Sequence, residues 1–343
     1  MNTARSIDTQ LQVRDLLLGF VVTRAIQVAA ELGIADALAH HPLDLDSLAA
    51  KTGTDANTLM RLLRFLESYG IFEQRADLYY SNTPMSELMR ADAPGSLRGF
   101  AMMYGDAAVW RAWEGLEHSV RTAEASFSHV HGVPLFDYLA AHPTSAKHFD
   151  AAMVSSSNML NAAIVDAYDW KQFGVLVDVG GGVGSTLAAI LDATPNLNGI
   201  LFDLPHVIER GRDFLAQRGL SDRCTTMPGS FFDSIPNAGD AYILKHILHD
   251  WGNADCISIL RACRNAMPDR AKLLVCEKVI QPGNERSYSK VMDLIMLAIT
   301  EGGRERTQDE FAHLFSAAGL RLLRIVPTLE DNSVILEAAT VAS

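Results

Sequence analysis

Apolar and polar residues are spaced differently before and after residue 175. Residues 12 to 40 alternate them at helical spacing, with an Ala/Leu-rich run from Ala25 to Ala39. Leu43 to Ala49, opening on Leu43-Asp44-Leu45-Asp46-Ser47, reads as a capped short helix. Asp55 to Leu66 places apolar residues three and four apart and predicts an amphipathic helix. Ile71–Gln74 and Leu78–Ser81 predict a two-stranded wing. Helices followed by a hairpin make a winged-helix pattern. Residues 100 to 170 read as mostly helical, with many aromatic residues and methionines.

From residue 175 onward the rhythm is strand, helix, strand. Apolar runs at 175–179, 199–203, 224–227, 241–245 and 272–277 predict a parallel sheet built from βαβ units. The tail departs from this rhythm. Leu320–Val326 and Ser333–Ala339, with a turn around Glu330-Asp331-Asn332, predict a closing antiparallel hairpin at the sheet edge. The chain shows no internal repeat and no low-complexity linker.

The first of these strands ends in the most informative stretch. Val175-Leu176-Val177-Asp178-Val179 breaks into Gly180-Gly181-Gly182-Val183-Gly184, and Ser185 to Ile190 opens a helix. A tight glycine turn between strand and helix lets a nucleotide-like ligand approach bare backbone. The next apolar run ends in Asp203, 23 positions after Gly180. An acid reaching a ribose diol is expected roughly 20 positions on. The glycines at 180, 182 and 184 do not fit a dinucleotide fingerprint, because the sixth position is Ser185. No Gly-Lys-Ser/Thr follows, so a P-loop is excluded. An acid leading into G-x-G-x-G resembles the first motif of S-adenosylmethionine-dependent methyltransferases.

Length and charge narrow the field. At 343 residues the chain has room for two domains. Apolar content is 48%, and the net charge of −12 argues against extended nucleic-acid or anionic-membrane surfaces. Asp44, Asp46, Asp55 and Glu67 sit among the would-be recognition elements, so the winged helix is assigned to packing or dimerisation. Residues Met1 to Gln10 hold no apolar signal core, and charges such as Arg24 interrupt the apolar stretches. Cys224, Cys256, Cys263 and Cys276 form no C-x-x-C pair, as expected of reduced thiols in a cytoplasmic enzyme.

The strand Ala241–Lys245 runs into His246-Ile247-Leu248-His249-Asp250-Trp251. Ligands of doubly wound folds sit beyond the carboxyl ends of the strands, which places Lys245 and His249 near the rim of Gly180 and Asp203. An imidazole of ordinary pKa, about 6.5, is neutral at pH 7 and suits proton abstraction.

Phe202-Asp203-Leu204-Pro205-His206-Val207-Ile208, Leu244-Lys245 through His249-Asp250-Trp251, and Gly302-Gly303-Arg304-Glu305-Arg306-Thr307 together resemble one family. It is the caffeic-acid/hydroxyindole-type small-molecule O-methyltransferases, in their bacterial secondary-metabolite branch. The resemblance spans nearly the whole chain. It implies a Rossmann-like class I methyltransferase α/β sheet and an N-terminal, mostly helical winged-helix dimerisation domain. The implied domains are residues 1–100 for dimerisation, 101–170 as a helical linker contributing to the acceptor pocket, and 171–343 for S-adenosylmethionine binding and catalysis.

The resemblance also implies roles. His249 is the general base, with Glu277 and Glu305 as its acidic partners. Asp178, Gly180, Gly182, Asp203, Ser230, Phe231 and Lys245 contact S-adenosylmethionine, which leaves as S-adenosylhomocysteine. Phe149, Met153, Ile295 and Met296 line the acceptor pocket. Ser230 departs from the family, which usually carries an Asp there to accept from the adenine amino group; the Ser hydroxyl still accepts. The expected reaction is methyl transfer to a phenolic or other acidic hydroxyl of a small aromatic or polyketide-like metabolite, without a metal. N-methylation of a heteroaromatic metabolite is an alternative. So is non-methylating chemistry on the same scaffold: hydroxylation, decarboxylation or a pericyclic reaction. The expected partners are the small-molecule acceptor and a second copy in a homodimer, with no nucleic acid and no membrane.

Overall fold

The computed structural model describes residues 2–329 and 333–341, arranged as two compact units. The turn expected around Glu330-Asp331-Asn332 lies outside the described residues.

The first unit takes residues 1–110 and 139–156. The helical segment expected over 12–40 is three helices: α1 (Asn2–Leu17), α2 (Gly19–Glu31) and α3 (Ile34–Ala37). Two capped helices follow. Asp44 accepts the Ser47 N–H at the start of α4 (Leu45–Thr52), and Asp55 accepts the Thr58 N–H at the start of α5 (Ala56–Glu67). The wing pairs β1 (Phe72–Gln74) with β2 (Tyr80–Asn82). Its second strand begins two residues later than the sequence indicates, because Leu78 adopts a positive φ of 66° inside the turn. Ile34, Leu48, Leu59, Leu63, Leu66 and Phe72 fill the core of this unit. By contrast α1 and the start of α2 leave Leu16, Leu17 and Phe20 at 77%, 72% and 60% exposure.

The second unit takes residues 111–138 and 157–343. Its sheet contains β3 (Val175–Val179), β4 (Asn198–Asp203), β5 (Cys224–Pro228), β6 (Ala241–Lys245), β7 (Lys272–Lys278), β8 (Leu320–Pro327) and β9 (Ser333–Thr340). The order is β5-β4-β3-β6-β7-β9-β8, parallel through β7, with β9 antiparallel to both β7 and β8. The closing hairpin therefore lies at the edge, as the change of rhythm predicts.

Both faces of the sheet are covered, which explains the unbroken apolar runs of its central strands. Val177, Tyr242, Leu244 and Val275 pack on one side with Ile259, Leu260, Phe311 and Phe315. Leu176, Leu201, Ile243 and Leu274 pack on the other with Ile164, Leu187, Ile190 and Leu215. Alternate residues of each strand serve opposite faces. The order reverses between β4-β3 and β6-β7, which makes the carboxyl ends of β3 and β6 the switch point where doubly wound folds place a ligand crevice. No helix among the described residues is long and apolar enough to cross a membrane.

Candidate active site

The glycine turn sits at that switch point. Gly180, Gly182 and Gly184 all have positive φ, at 69°, 61° and 83°, a region costly for side-chain-bearing residues. A Cβ on Gly180 would stand 2.8 Å from Ile247 and 3.3 Å from Phe231. One on Gly182 meets nothing within 4 Å, so the turn is open on that side. The Asp203 carboxylate accepts the Gly182 N–H at 2.8 Å and the Leu204 N–H at 2.6 Å, tying the end of β4 to the turn. Burial raises the Asp203 pKa, against these hydrogen bonds.

Asp178 is buried at the end of β3, and its Oδ2 has no hydrogen-bond partner. Burial pushes its pKa up to about 7, with Lys245 pulling it down and Asp203 pushing it up. Lys245 Nζ donates to Ser157 Oγ at 3.0 Å. Ser230 Oγ accepts the Phe232 N–H at 3.2 Å within its turn. The Phe231 ring meets Phe232 and Trp251 edge-on. An open turn, a neighbouring aromatic ring and an unpartnered buried carboxylate fit an adenosyl ligand carrying an amino group.

The second cluster follows β6. His246 has a φ of 52°, and its N–H donates to Cys276 O at 3.1 Å. This bend throws the chain into a 3-10 turn at Leu248–Asp250 that carries His249. Glu305 Oε1 lies 3.0 Å from His249 Nδ1 and fixes the proton on that nitrogen. Glu277 lies beside the ring, as the resemblance implies, and also holds the backbone of the turn. Its Oε1 accepts the N–H groups of Ile247, Leu248 and His249 at 3.0, 2.8 and 3.4 Å, while Oε2 stands 3.9 Å from Nδ1. Glu277 thus faces both the turn and the ring, and Glu305 makes the shorter contact to Nδ1.

Asp250 was not expected at the site. Its Oδ1 is 3.6 Å from His249 Nε2. Arg306, in sequence only part of the Gly302–Thr307 motif, grips the same turn with its buried guanidinium. Adjacency to His249 and Glu305 was the one sequence signal for either residue.

The surroundings of His249 push the imidazole towards its protonated form, away from the ordinary pKa. Burial disfavours the imidazolium, but the charges of Glu277, Asp250 and Glu305 and the Glu305 hydrogen bond outweigh it, and the pKa rises to about 10. Burial, reinforced by repulsion from Glu305 and Asp250, raises Glu277 to about 7 against the pull of His249. His246 is driven the other way, well below its ordinary value, by burial and by Lys245, His249 and Lys278.

Donor atoms of His249, Glu277 and Glu305 lie within 4.8 Å of one another, the grouping that the resemblance implies. Ile295 and Met296 are buried in the helix Tyr288–Ile299 of the second unit, whereas Phe149 and Met153 belong to the first unit.

Residues 113–321 match the O-methyltransferase domain family, and residues 14–92 match the O-methyltransferase dimerisation domain. The chain belongs to this O-methyltransferase family. The methyltransferase is 41% identical over 334 residues to phenazine O-methyltransferase PhzM of Lysobacter antibioticus, covering 97% of each chain. The crystal structure of CalO1, a methyltransferase in calicheamicin biosynthesis in its S-adenosylhomocysteine-bound form, superposes with a TM-score of 0.87. It is 32% identical, over 99% of this chain and 100% of that one. The fold is therefore that of class I methyltransferases, and the methyl donor is S-adenosylmethionine.

Relatives of other chemistry stand at 35% identity. One is the 8-amino-8-demethylriboflavin N,N-dimethyltransferase of Streptomyces davaonensis, matched over 94% of this chain and 92% of that protein. The other is aclacinomycin 10-hydroxylase RdmB of Streptomyces purpurascens, matched over 92% and 86%.

Proposed function

We propose that this methyltransferase methylates a phenolic or other acidic hydroxyl of a small aromatic metabolite, with His249 as general base. The observation that carries the reading is the 3.0 Å contact between His249 Nδ1 and buried Glu305. It commits Nδ1 as a donor and leaves Nε2 for the acceptor's proton, the logic of a histidine oriented by a carboxylate. Asp178, Gly180, Gly182, Asp203, Ser230, Phe231 and Lys245 form the cofactor contacts in this reading. Ile295 and Met296 supply apolar contacts to the acceptor.

S-adenosylmethionine supplies an electrophilic methyl group on a positively charged sulfonium. Transfer requires the acceptor oxygen within about 3–3.5 Å of that methyl, and the base within about 3 Å of the same hydroxyl. With the donor so placed, His249 would work close to a positive charge, which would oppose its imidazolium form. The ring, pushed towards its protonated form in the free protein, would thereby be readied to take a proton from the acceptor. Glu305 and Glu277 balance the imidazolium as it forms, and the proton leaves to solvent after transfer.

Incubating the protein with S-adenosylmethionine and a panel of phenols, quinols, azaheterocycles and aromatic amines tests this reading by mass spectrometry. One methyl gained on oxygen is expected. Gain only on nitrogen, or conversion without methyl gain, would replace the reading with one of the alternatives. Exhaustive chelation followed by dialysis is expected to leave turnover unchanged. Loss of activity restored by a divalent cation would instead make the His249–Glu277–Glu305 cluster a metal centre.

The same proposal includes a homodimer built through residues 14–92. The dimerisation-domain match and the exposed apolar residues of α1 and α2 support it.

A further inference from the structure

Arg306 is fully buried and is among the largest side chains so enclosed among the described residues. Its guanidinium donates to four uncharged oxygens and also meets the buried Cys256 thiol. Nη1 donates to Leu248 O at 2.8 Å and to Arg304 O at 3.3 Å. Nη2 donates to Trp251 O at 2.7 Å, and both Nε and Nη2 donate to Asn253 Oδ1, at 3.1 and 3.0 Å. Taking a guanidinium out of water is costly, and such directed bonds offset the cost only where the geometry holds all of them.

The two strongest of these bonds fall on Leu248 and Trp251, one on each side of His249-Asp250. The other end of the residue is fixed as well. Arg306 O accepts the Ile280 N–H at 2.9 Å, and Arg306 bridges Val279 in parallel register, just beyond β7. That strand also supplies Glu277, which caps the same turn from its amino side. Next to Arg306, Glu305 holds the His249 ring, and the Arg304 N–H donates to His249 O at 2.8 Å. One short segment, 304–306, thus grips the ring, the backbone and both flanks of the base.

We propose that Arg306 is a positioning residue for methyl transfer, clamping the Leu248–Trp251 turn so that His249 meets the acceptor proton in reacting geometry. The proposal rests on the reading of His249 as base. Its physical ground is the tolerance of such sites: a misplacement of about 1 Å costs roughly 10²-fold in rate. Lysine keeps the charge at this position, but its single ammonium lacks the planar fork that spans two carbonyls.

The test compares Arg306→Lys and His249→Ala with the unaltered protein on two acceptors. One is neutral at the assay pH and needs a base; the other is already ionised and does not. Arg306→Lys is expected to lower kcat roughly 10- to 100-fold on the neutral acceptor and less than about 3-fold on the ionised one. S-adenosylmethionine affinity, read by calorimetry, is expected to stay within about 3-fold. Equal losses on both acceptors, with the split preserved in His249→Ala, would overturn the proposal and leave Arg306 a purely structural residue. Absence of the split in His249→Ala itself would overturn the base reading, and the proposal with it.

If Arg306→Lys fails to fold, Asn253→Ala decides. Asn253 is exposed at the first turn of its helix and takes two of the guanidinium bonds. Its loss is expected to produce the same split at roughly 3- to 10-fold, and unchanged selectivity between the acceptors would overturn the proposal.

Discussion

Replacing His249 with alanine is expected to lower kcat by roughly 10²- to 10⁴-fold on an acceptor that is neutral at the assay pH. A phenol has a pKa of about 10, so little of it ionises unaided at neutral pH. The imidazole lies on a turn held by Glu277 and Arg306, and its ring is aligned by Glu305. Cofactor affinity is expected to change little, because no glycine-turn residue moves. Near-normal turnover on a neutral acceptor would rule out the base role.

The pH dependence carries the same idea further. In the free protein the three carboxylates keep His249 protonated up to about pH 10, a titration that imidazole NMR reads directly. With the donor bound, the base limb of kcat/KM for a neutral acceptor is expected to rise with pH and to lie below 10, since the sulfonium disfavours the imidazolium. A limb at or above the free-protein value would mean that the donor's charge does not reach His249.

Two substitutions on the exposed apolar face, Leu16→Asp with Phe20→Asp, are expected to abolish the dimer. At 77% and 60% exposure in one chain, both side chains lie outside the core of their unit, so on a monomer the changes would cost little. In a two-fold interface the same carboxylates are buried without partners, and each unpaired buried charge costs several kcal/mol. Light scattering is expected to show the unaltered protein as a dimer and the double variant as a monomer or aggregate. A variant that stays dimeric places the interface elsewhere, and an unaltered protein that runs as a monomer removes the dimer altogether.

The fold was legible in the chain because its signals are local. Buried parallel strands read as apolar runs, β3 announces its turn through glycines at positive φ, and Asp44 and Asp55 mark helix starts three residues before the N–H groups that they accept. The sheet edge was legible for the same reason, since β8 and β9 follow each other directly.

The grouping of His249, Glu277 and Glu305 was also legible, as a set. Their division of labour was not, because it depends on distances between segments far apart in sequence. Glu277 and Glu305 look equivalent beside His249 until β7 and the 304–306 segment are folded around it. One then also caps the turn through its backbone, and the other makes the shorter contact to the ring. Charge state is likewise a tertiary property. Composition assigns a histidine an ordinary pKa, whereas three carboxylates brought around it in a buried site raise that pKa to about 10. Arg306 shows the same limit. Sequence placed an arginine next to Glu305, and only the folded chain turned its guanidinium onto the two carbonyls that flank the base.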